Sequence, residues 1–269
     1  MNIYRGCPHG CIYCDSRSLC YRIDRFDQVR AKEDALRIIR DDLRRKVKTG
    51  VVGTGAMSDP YNPFEAEQKL TRHALELIHA FDFGAEITTK SPLVTRDADI
   101  LLDIKQHSPV LVIFSVSTAD DALCRLIEPN VAPASARFAA VRELSAQGIY
   151  CGIILMPTLP FITDTKENVL EIVRLAHESG ARFVYPAFGL TLRDGNREYF
   201  YQKLDESFPG MKERYIKRFG NRYNCPSPKA RELHALFAEA CRTMGLRYRM
   251  PQIIEDYKRG YAIDQLSLF

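Results

Sequence analysis

Three thiols crowd the start of this chain. In Tyr4-Arg5-Gly6-Cys7-Pro8-His9-Gly10-Cys11-Ile12-Tyr13-Cys14 they are spaced C-x3-C-x2-C, and the Gly and Pro residues supply the tight turns a short loop needs to wrap an inorganic cluster. Cys7, Cys11 and Cys14 as thiolates would hold three irons of a 4Fe-4S cluster and leave the fourth open to an exchangeable ligand. A structural zinc or a Cys11–Cys14 redox pair stands beside this reading, since C-x2-C serves both. Zinc would take its fourth ligand from His9, awkwardly placed inside the x3 turn, or from Cys20, which would close the site. The other cysteines are scattered. Cys124 and Cys241 fall on helical patterns and Cys151 on a strand, where buried, inert thiols are expected. Cys20 and Cys225 fall in loops and are the remaining candidates for a catalytic thiol.

The elements that must position this loop alternate. Short β-branched runs at Val51–Ala56, Ala85–Thr89, Val110–Val116, Tyr150–Met156 and Arg182–Phe188 predict strands. Between them, helical periodicity covers about 31–47, 64–81, 96–107, 119–127 with 135–147, and 165–179. Gly148 and Gly180 sit at C-cap positions, and Asp164 at an N-cap. Strand–helix alternation implies a parallel sheet with right-handed crossovers, either doubly wound or a full or partial (β/α) barrel, and periodicity does not choose between them. After Gly189 the pattern turns helix-rich, aromatic and basic, with breaks at Pro209 and Cys225–Pro228. The expected division is therefore 1–190 for the core and 191–269 for a C-terminal extension.

Composition narrows the class. The 269 residues are 46% hydrophobic, enough for a large core without disulfide staples. No run of about 18 apolar residues and no basic-then-apolar leader occurs, so a cytoplasmic protein is expected, with no membrane partner. The net charge of +4 is uneven: residues 193–259 hold 15 Lys and Arg against 9 Asp and Glu, the rest 23 against 25. The basic portion suits an anionic partner.

The cysteine loop, followed by Gly53-Thr54-Gly55-Ala56-Met57-Ser58-Asp59-Pro60-Tyr61 and Thr89-Lys90, resembles the spore photoproduct lyase family of radical S-adenosyl-L-methionine (AdoMet) enzymes, often labelled DNA repair photolyases. Phe114-Ser115, Glu128-Pro129 and the helix from Arg137 to Gly148 extend the resemblance over about residues 1–190. It implies a partial (β/α)6 TIM-like barrel of the radical SAM type with a helical C-terminal extension. The cofactors implied are a 4Fe-4S cluster and AdoMet, which one electron cleaves to a 5′-deoxyadenosyl radical that takes a hydrogen atom from substrate. The electron donor would be a flavodoxin or ferredoxin. With six residues before Cys7, the first strand is expected to be short, displaced or lost through a truncated start. By motif, Tyr13 would pack near the adenine, while Ser58, Asp59, Lys90 and Ser115 would hold the methionyl and ribose ends. Asp59 as a mere turn residue before Pro60, and Ser115 as a strand hydroxyl bonded to backbone, are the alternatives. One departure matters: spore photoproduct lyases carry a hydrogen-donating cysteine directly before the Ser-Asp turn, and Gly55-Ala56-Met57-Ser58-Asp59 has none. Repair of spore photoproduct itself is therefore not expected.

In the extension, Tyr215-Ile216-Lys217-Arg218-Phe219-Gly220-Asn221-Arg222-Tyr223 interleaves cations and aromatics, which suits a nucleic-acid surface through Lys217, Arg218 and Arg222. Its aromatics serve equally well as core contacts. The terminal Gln265-Leu266-Ser267-Leu268-Phe269 resembles the peptide by which bacterial replication and repair proteins bind the β sliding clamp, with Gln265, Leu266, Leu268 and Phe269 as contacts. The expected activity is radical AdoMet chemistry on DNA or a nucleotide, such as lesion repair. The alternatives are modification of RNA, a peptide or a small metabolite, and a non-catalytic Fe-S accessory protein that binds DNA.

Overall fold

The computed structural model describes residues 1–261. Two short strands, β1 (Tyr4–Arg5) and β2 (Arg30–Ala31), pair antiparallel on either side of the cysteine loop. Alternation then begins: α1 (Ala35–Arg44), β3 (Val51–Thr54), α2 (Glu65–Gln68), α3 (Leu70–Ala80), β4 (Gly84–Thr89), α4 (Ala98–Lys105), β5 (Val110–Ser115), α5 (Asp121–Ile127), α6 (Ala134–Ala146), β6 (Tyr150–Leu155), α7 (Lys166–Glu178) and β7 (Phe183–Pro186).

Strands β3 to β7 form one parallel sheet in the order of the sequence. A doubly wound sheet would reverse its order part-way, so sequential order decides for the partial-barrel class. Because a helical crossover returns the chain each time, all five strands end on the same edge and their following loops gather there. Their apolar side chains, among them Ile87, Val112, Phe114, Ile153, Leu155 and Val184, are buried and pack with α3, α4, α6 and α7 in the main core. A strand buried on both faces reads as a nearly unbroken apolar run, as β5 does in Val110–Phe114, whereas β4 carries Glu86 and two threonines.

One local expectation holds and two change. The first strand is both short and displaced: it is only Tyr4–Arg5 and lies outside the sheet, so the described sheet has five strands; the Met1 ammonium donates to Gly53 O on β3. The helix expected over 64–81 breaks at Lys69, which has φ 52°. There the fully buried Glu65 carboxylate accepts the Thr71 N–H at 3.1 and 3.0 Å and the Tyr4 hydroxyl at 2.5 Å, capping α3 as a separate helix. The N-cap of α7 is Thr165, whose hydroxyl accepts from Asn168 N at 3.1 Å, rather than Asp164, whose carboxylate accepts from Ser227 Oγ at 2.6 Å. Gly148 and Gly180 do close their helices, with φ of 82° and 79°.

Beyond the sheet come β8 (Gly189–Thr191), α8 (Asn196–Ser207), α9 (Met211–Phe219), β9 (Asn224–Pro226), α10 (Ala230–Thr243) and α11 (Met250–Lys258), with β8 and β9 antiparallel. Helix α10 sends Leu233, Phe237 and Cys241 into the main core. Phe200, Leu204, Tyr215, Phe219 and Cys225 form a second core with Cys11, Ile12 and Tyr13, so this region backs the cysteine loop.

Candidate active site

At the C-terminal edge of β3, β4 and β5 lies a hollow of about 110 Å³. The loop contributes Cys7, His9, Cys11, Tyr13, Cys14 and Ser16; the turn after β3 contributes Gly55 to Asp59; β4 ends on it with Thr88, Thr89 and Lys90, and β5 with Ser115. The loop's path is set by backbone bonds to its surroundings: Cys7 N donates to Phe26 O at 2.8 Å, Ile12 N to Ile127 O at 3.0 Å, and Asn130 N to His9 O at 3.1 Å. Gly6 makes the approach possible. Its φ is 80°, and a Cβ there would lie 2.7 Å from the carbonyl oxygens of Phe26 and Gln28.

The donor set suits a cluster. Burial pushes the Cys7 thiol up to about 11 and holds Cys11 well above the ordinary thiol range, so both keep their protons until a cation displaces them. Among the described residues no three His, Cys, Asp or Glu side chains converge on one point, as a mononuclear site requires. A 4Fe-4S cluster asks for something different, three thiols around one hollow, each for its own iron.

Asp59 is heavily engaged. Its carboxylate accepts from Tyr61 N at 2.9 Å, Thr89 Oγ1 at 2.6 Å and Lys90 N at 2.7 Å, tying the turn after β3 to the end of β4. Its Oδ2 is 3.8 Å from His9 Nδ1. Ser58 donates to Tyr4 O at 3.0 Å and Ser115 to Met156 O at 3.1 Å. For Lys90, burial works against the ammonium, but the nearby Glu128 and Asp59 carboxylates, and Cys11 once it is a thiolate, outweigh it and raise its pKa. Its Nζ lies 5.8 Å from the centroid of the Tyr13 ring.

Behind Tyr13 is a network that sequence reasoning did not assemble. The Tyr13 hydroxyl donates to Glu128, and the Arg137 guanidinium donates to the same carboxylate, with both members of the ion pair at most 1% exposed. Arg137 Nη1 also donates to Ser115 O at 2.8 Å and Nε to Ala132 O at 2.9 Å. Burial opposes the Glu128 charge, but Arg137 and Lys90 hold its pKa below the usual carboxylate range. The ring of Tyr13 and the end of β5 are thereby fixed relative to one another. Glu128 and Arg137 stood out in the sequence only as part of a resemblance; a charged pair nine residues apart looks like ordinary helix decoration until the fold buries both.

Comparison with protein-family models matches residues 1–176 to the Radical SAM superfamily. The chain belongs to the radical SAM superfamily. Among curated relatives, an uncharacterized protein of Mycobacterium tuberculosis is 29% identical over 265 residues, covering 96% of this chain and 74% of that protein. An uncharacterized protein of Methanocaldococcus jannaschii is 31% identical over 171 residues, 62% of each. Among solved structures, a spore photoproduct lyase mutant with bound AdoMet and dinucleoside spore photoproduct aligns with TM-score 0.66 at 16% identity, covering 92% of this chain and 76% of that one. The radical SAM methyltransferase TsrM from Kitasatospora setae, with cobalamin and a [4Fe-4S] cluster bound, aligns with TM-score 0.60 at 15% identity, covering 97% and 56%. At these identities the likeness is one of fold. This chain is thus a radical SAM enzyme, and AdoMet and a 4Fe-4S cluster are the cofactors its superfamily implies.

The remaining sequence candidates lie elsewhere. Cys20 is exposed with Arg193 Nη1 3.4 Å from its sulfur, and Cys225 is buried in β9 with its sulfur 3.6 Å from Arg222 O; neither lines the hollow. In the turn that lacks a cysteine, Met57 lines the hollow beside Ser58. Lys217 and Arg218 are exposed on α9, while Arg222 folds back onto the end of that helix, donating to Arg218 O at 2.5 Å and Phe219 O at 3.2 Å. Tyr215 and Phe219, on the same stretch as these cations, are core residues. Gln265, Leu266, Leu268 and Phe269 lie outside the described residues. Among the described residues no helix is long and apolar enough to cross a membrane.

Proposed function

We propose that Cys7, Cys11 and Cys14 hold the 4Fe-4S cluster at this hollow, that AdoMet binds across the C-terminal strand edges with its amino acid end there, and that the enzyme acts on DNA or a nucleotide other than spore photoproduct. The observation that carries the cofactor reading is the convergence of the three thiols with Tyr13, Ser58, Asp59, Lys90 and Ser115 on one hollow. When bound, the cluster and AdoMet supply reductive cleavage to methionine and a 5′-deoxyadenosyl radical.

The chain's own residues would bind and orient. Lys90, held charged, suits the AdoMet carboxylate. The Tyr13 ring, pinned through Glu128, offers a fixed wall against which a planar base can lie. Ser58 and Ser115 hydroxyls already donate to backbone, which leaves their oxygens to accept. Asp59 chiefly shapes the turn, its three accepted bonds leaving little free capacity for ligand. We read residues 1–190 as the catalytic barrel and 191–269 as a C-terminal extension, of which α8, α9 and β9 back the cysteine loop.

Support for a nucleic-acid substrate comes from the exposed Lys217 and Arg218 and from the fold shared with a lyase that binds a dinucleoside lesion. The absence of a cysteine at Ala56–Met57 argues against that lesion as this enzyme's own. A flavodoxin- or ferredoxin-type donor would supply the electron.

Anaerobic reconstitution followed by dithionite and AdoMet should release 5′-deoxyadenosine, and Cys7→Ala, Cys11→Ala or Cys14→Ala should each abolish it. Turnover retained in those variants would overturn the cluster assignment. With deuterated oligonucleotides, deuterium should appear in 5′-deoxyadenosine; transfer only from RNA, peptide or metabolite substrates would reassign the substrate.

A further inference from the structure

On the opposite edge of the sheet, where β5, β6 and β7 begin, lies a larger cavity of about 570 Å³ that the radical chemistry does not use. Its wall is formed by the ends of α4, α6 and α7 and by α11. Two of its features are unbalanced. The first is charge. Lys105, Arg142, Arg182 and Arg259 line it with Glu178 and Asp256. Both carboxylates are engaged: Glu178 binds Arg174, and Asp256 binds Arg247 at 2.8 Å and Arg259 at 2.7 Å. Lys105, Arg142 and Arg182 have no carboxylate partner among the described residues.

The second is hydrogen bonding. Ser179 is 2% exposed and its hydroxyl has no partner; the Tyr150 hydroxyl is likewise buried and unpartnered. The Ser145 hydroxyl, on the same cavity, is a third without a partner; buried polar groups are nearly always satisfied, so these orphan donors mark a missing acceptor. Aromatic surface completes the lining. The Tyr150 ring stacks on Phe183 with centroids 5.9 Å apart and meets Tyr257 at 6.4 Å. Gly148 and Gly180 keep the wall open where the Schellman turns of α6 and α7 need positive φ in any case. A volume of this size belongs to small-ligand sites and exceeds what one inorganic ion needs.

We propose that this cavity binds a small organic phosphate with a planar ring, of nucleoside monophosphate size. Lys105, Arg142 and Arg182 take the phosphate, the Ser179 and Tyr150 hydroxyls donate to its oxygens, and the ring lies against Tyr150 and Tyr257. This does not depend on the substrate assigned to the cysteine hollow. A competing account gives the cations only to the helix C-termini that end here, where positive side chains are favourable without a ligand.

Titration of the full-length protein with guanosine monophosphate separates the two. Saturable binding is expected, weakened at least tenfold by Arg142→Glu or Arg182→Glu and severalfold by Tyr150→Phe. The last variant is the sharper one. Its hydroxyl bonds nothing in the protein, so thermal stability should hold or rise while binding falls. No saturation at millimolar ligand, equal binding of inorganic phosphate, or loss of binding on Lys90→Ala instead of the arginine changes would each overturn the proposal.

Discussion

Replacing Arg137 by Met tests how the site is held. Arg137 is fully buried, and its guanidinium satisfies Glu128 together with the carbonyls of Ser115 and Ala132. Met keeps much of the volume and removes the charge, which leaves Glu128 buried with only the Tyr13 hydroxyl, the Cys124 thiol and the more distant Lys90. Breaking one side of such a pair costs about 3–5 kcal/mol. With an unfolding entropy of about 2.1 cal/mol/K per residue, a chain of 269 residues loses roughly 5–9 °C in Tm. Circular dichroism under anaerobic conditions measures it. Adding Glu128→Gln to Arg137→Met neutralises the stranded carboxylate and should recover more than half of the loss. The pH dependence carries the sign. In the wild type the folded pKa of Glu128 is depressed, so its contribution is complete above the ordinary carboxylate range and is lost as pH falls toward the folded value. In Arg137→Met the strongest lowering influence is gone while burial remains, so the folded pKa moves up. The gap in stability between variant and wild type should therefore narrow as pH falls from 7 toward 5. A Tm loss under about 2 °C, or a gap that does not change with pH, would refute the reasoning.

Gly152→Ala places a Cβ 2.1 Å from the Phe183 ring in the sheet, and should cost about 1–3 kcal/mol by chemical denaturation, with partial rescue by Phe183→Leu. Lys69→Gly relieves the left-handed backbone between α2 and α3 and should raise stability by about 1 kcal/mol. Lys217→Glu with Arg218→Glu should leave the thermal transition in place but lower the salt dependence of nucleic-acid binding, by about 1.4–1.8 in log–log slope if each cation meets one phosphate; an unchanged slope would remove α9 from the interface.

Much of the site was legible because its chemistry is local. Cys7, Cys11 and Cys14 fall within eight residues, so their shared face follows from turn geometry alone. The parallel strands were legible too, since burial on both faces demands unbroken apolar runs such as Val110–Ser115. Helix ends at Gly148 and Gly180 followed from the left-handed residue that closes them. Periodicity failed at Lys69, because Glu65, four residues upstream, reads as an ordinary helix-surface carboxylate until the fold buries it against the remote Tyr4 and the Thr71 N–H.

The sequence by itself therefore determined the cysteine loop, the alternation of strands and helices and the superfamily. Only the tertiary structure decided sheet order, the strand left outside the sheet, and which polar residues became partners. Tyr13, Glu128, Arg137 and Ser115 are spread over more than a hundred residues and carry no common motif. They meet because parallel strands end on one edge, and once water is excluded there each buried charge or hydroxyl must find its partner in the chain.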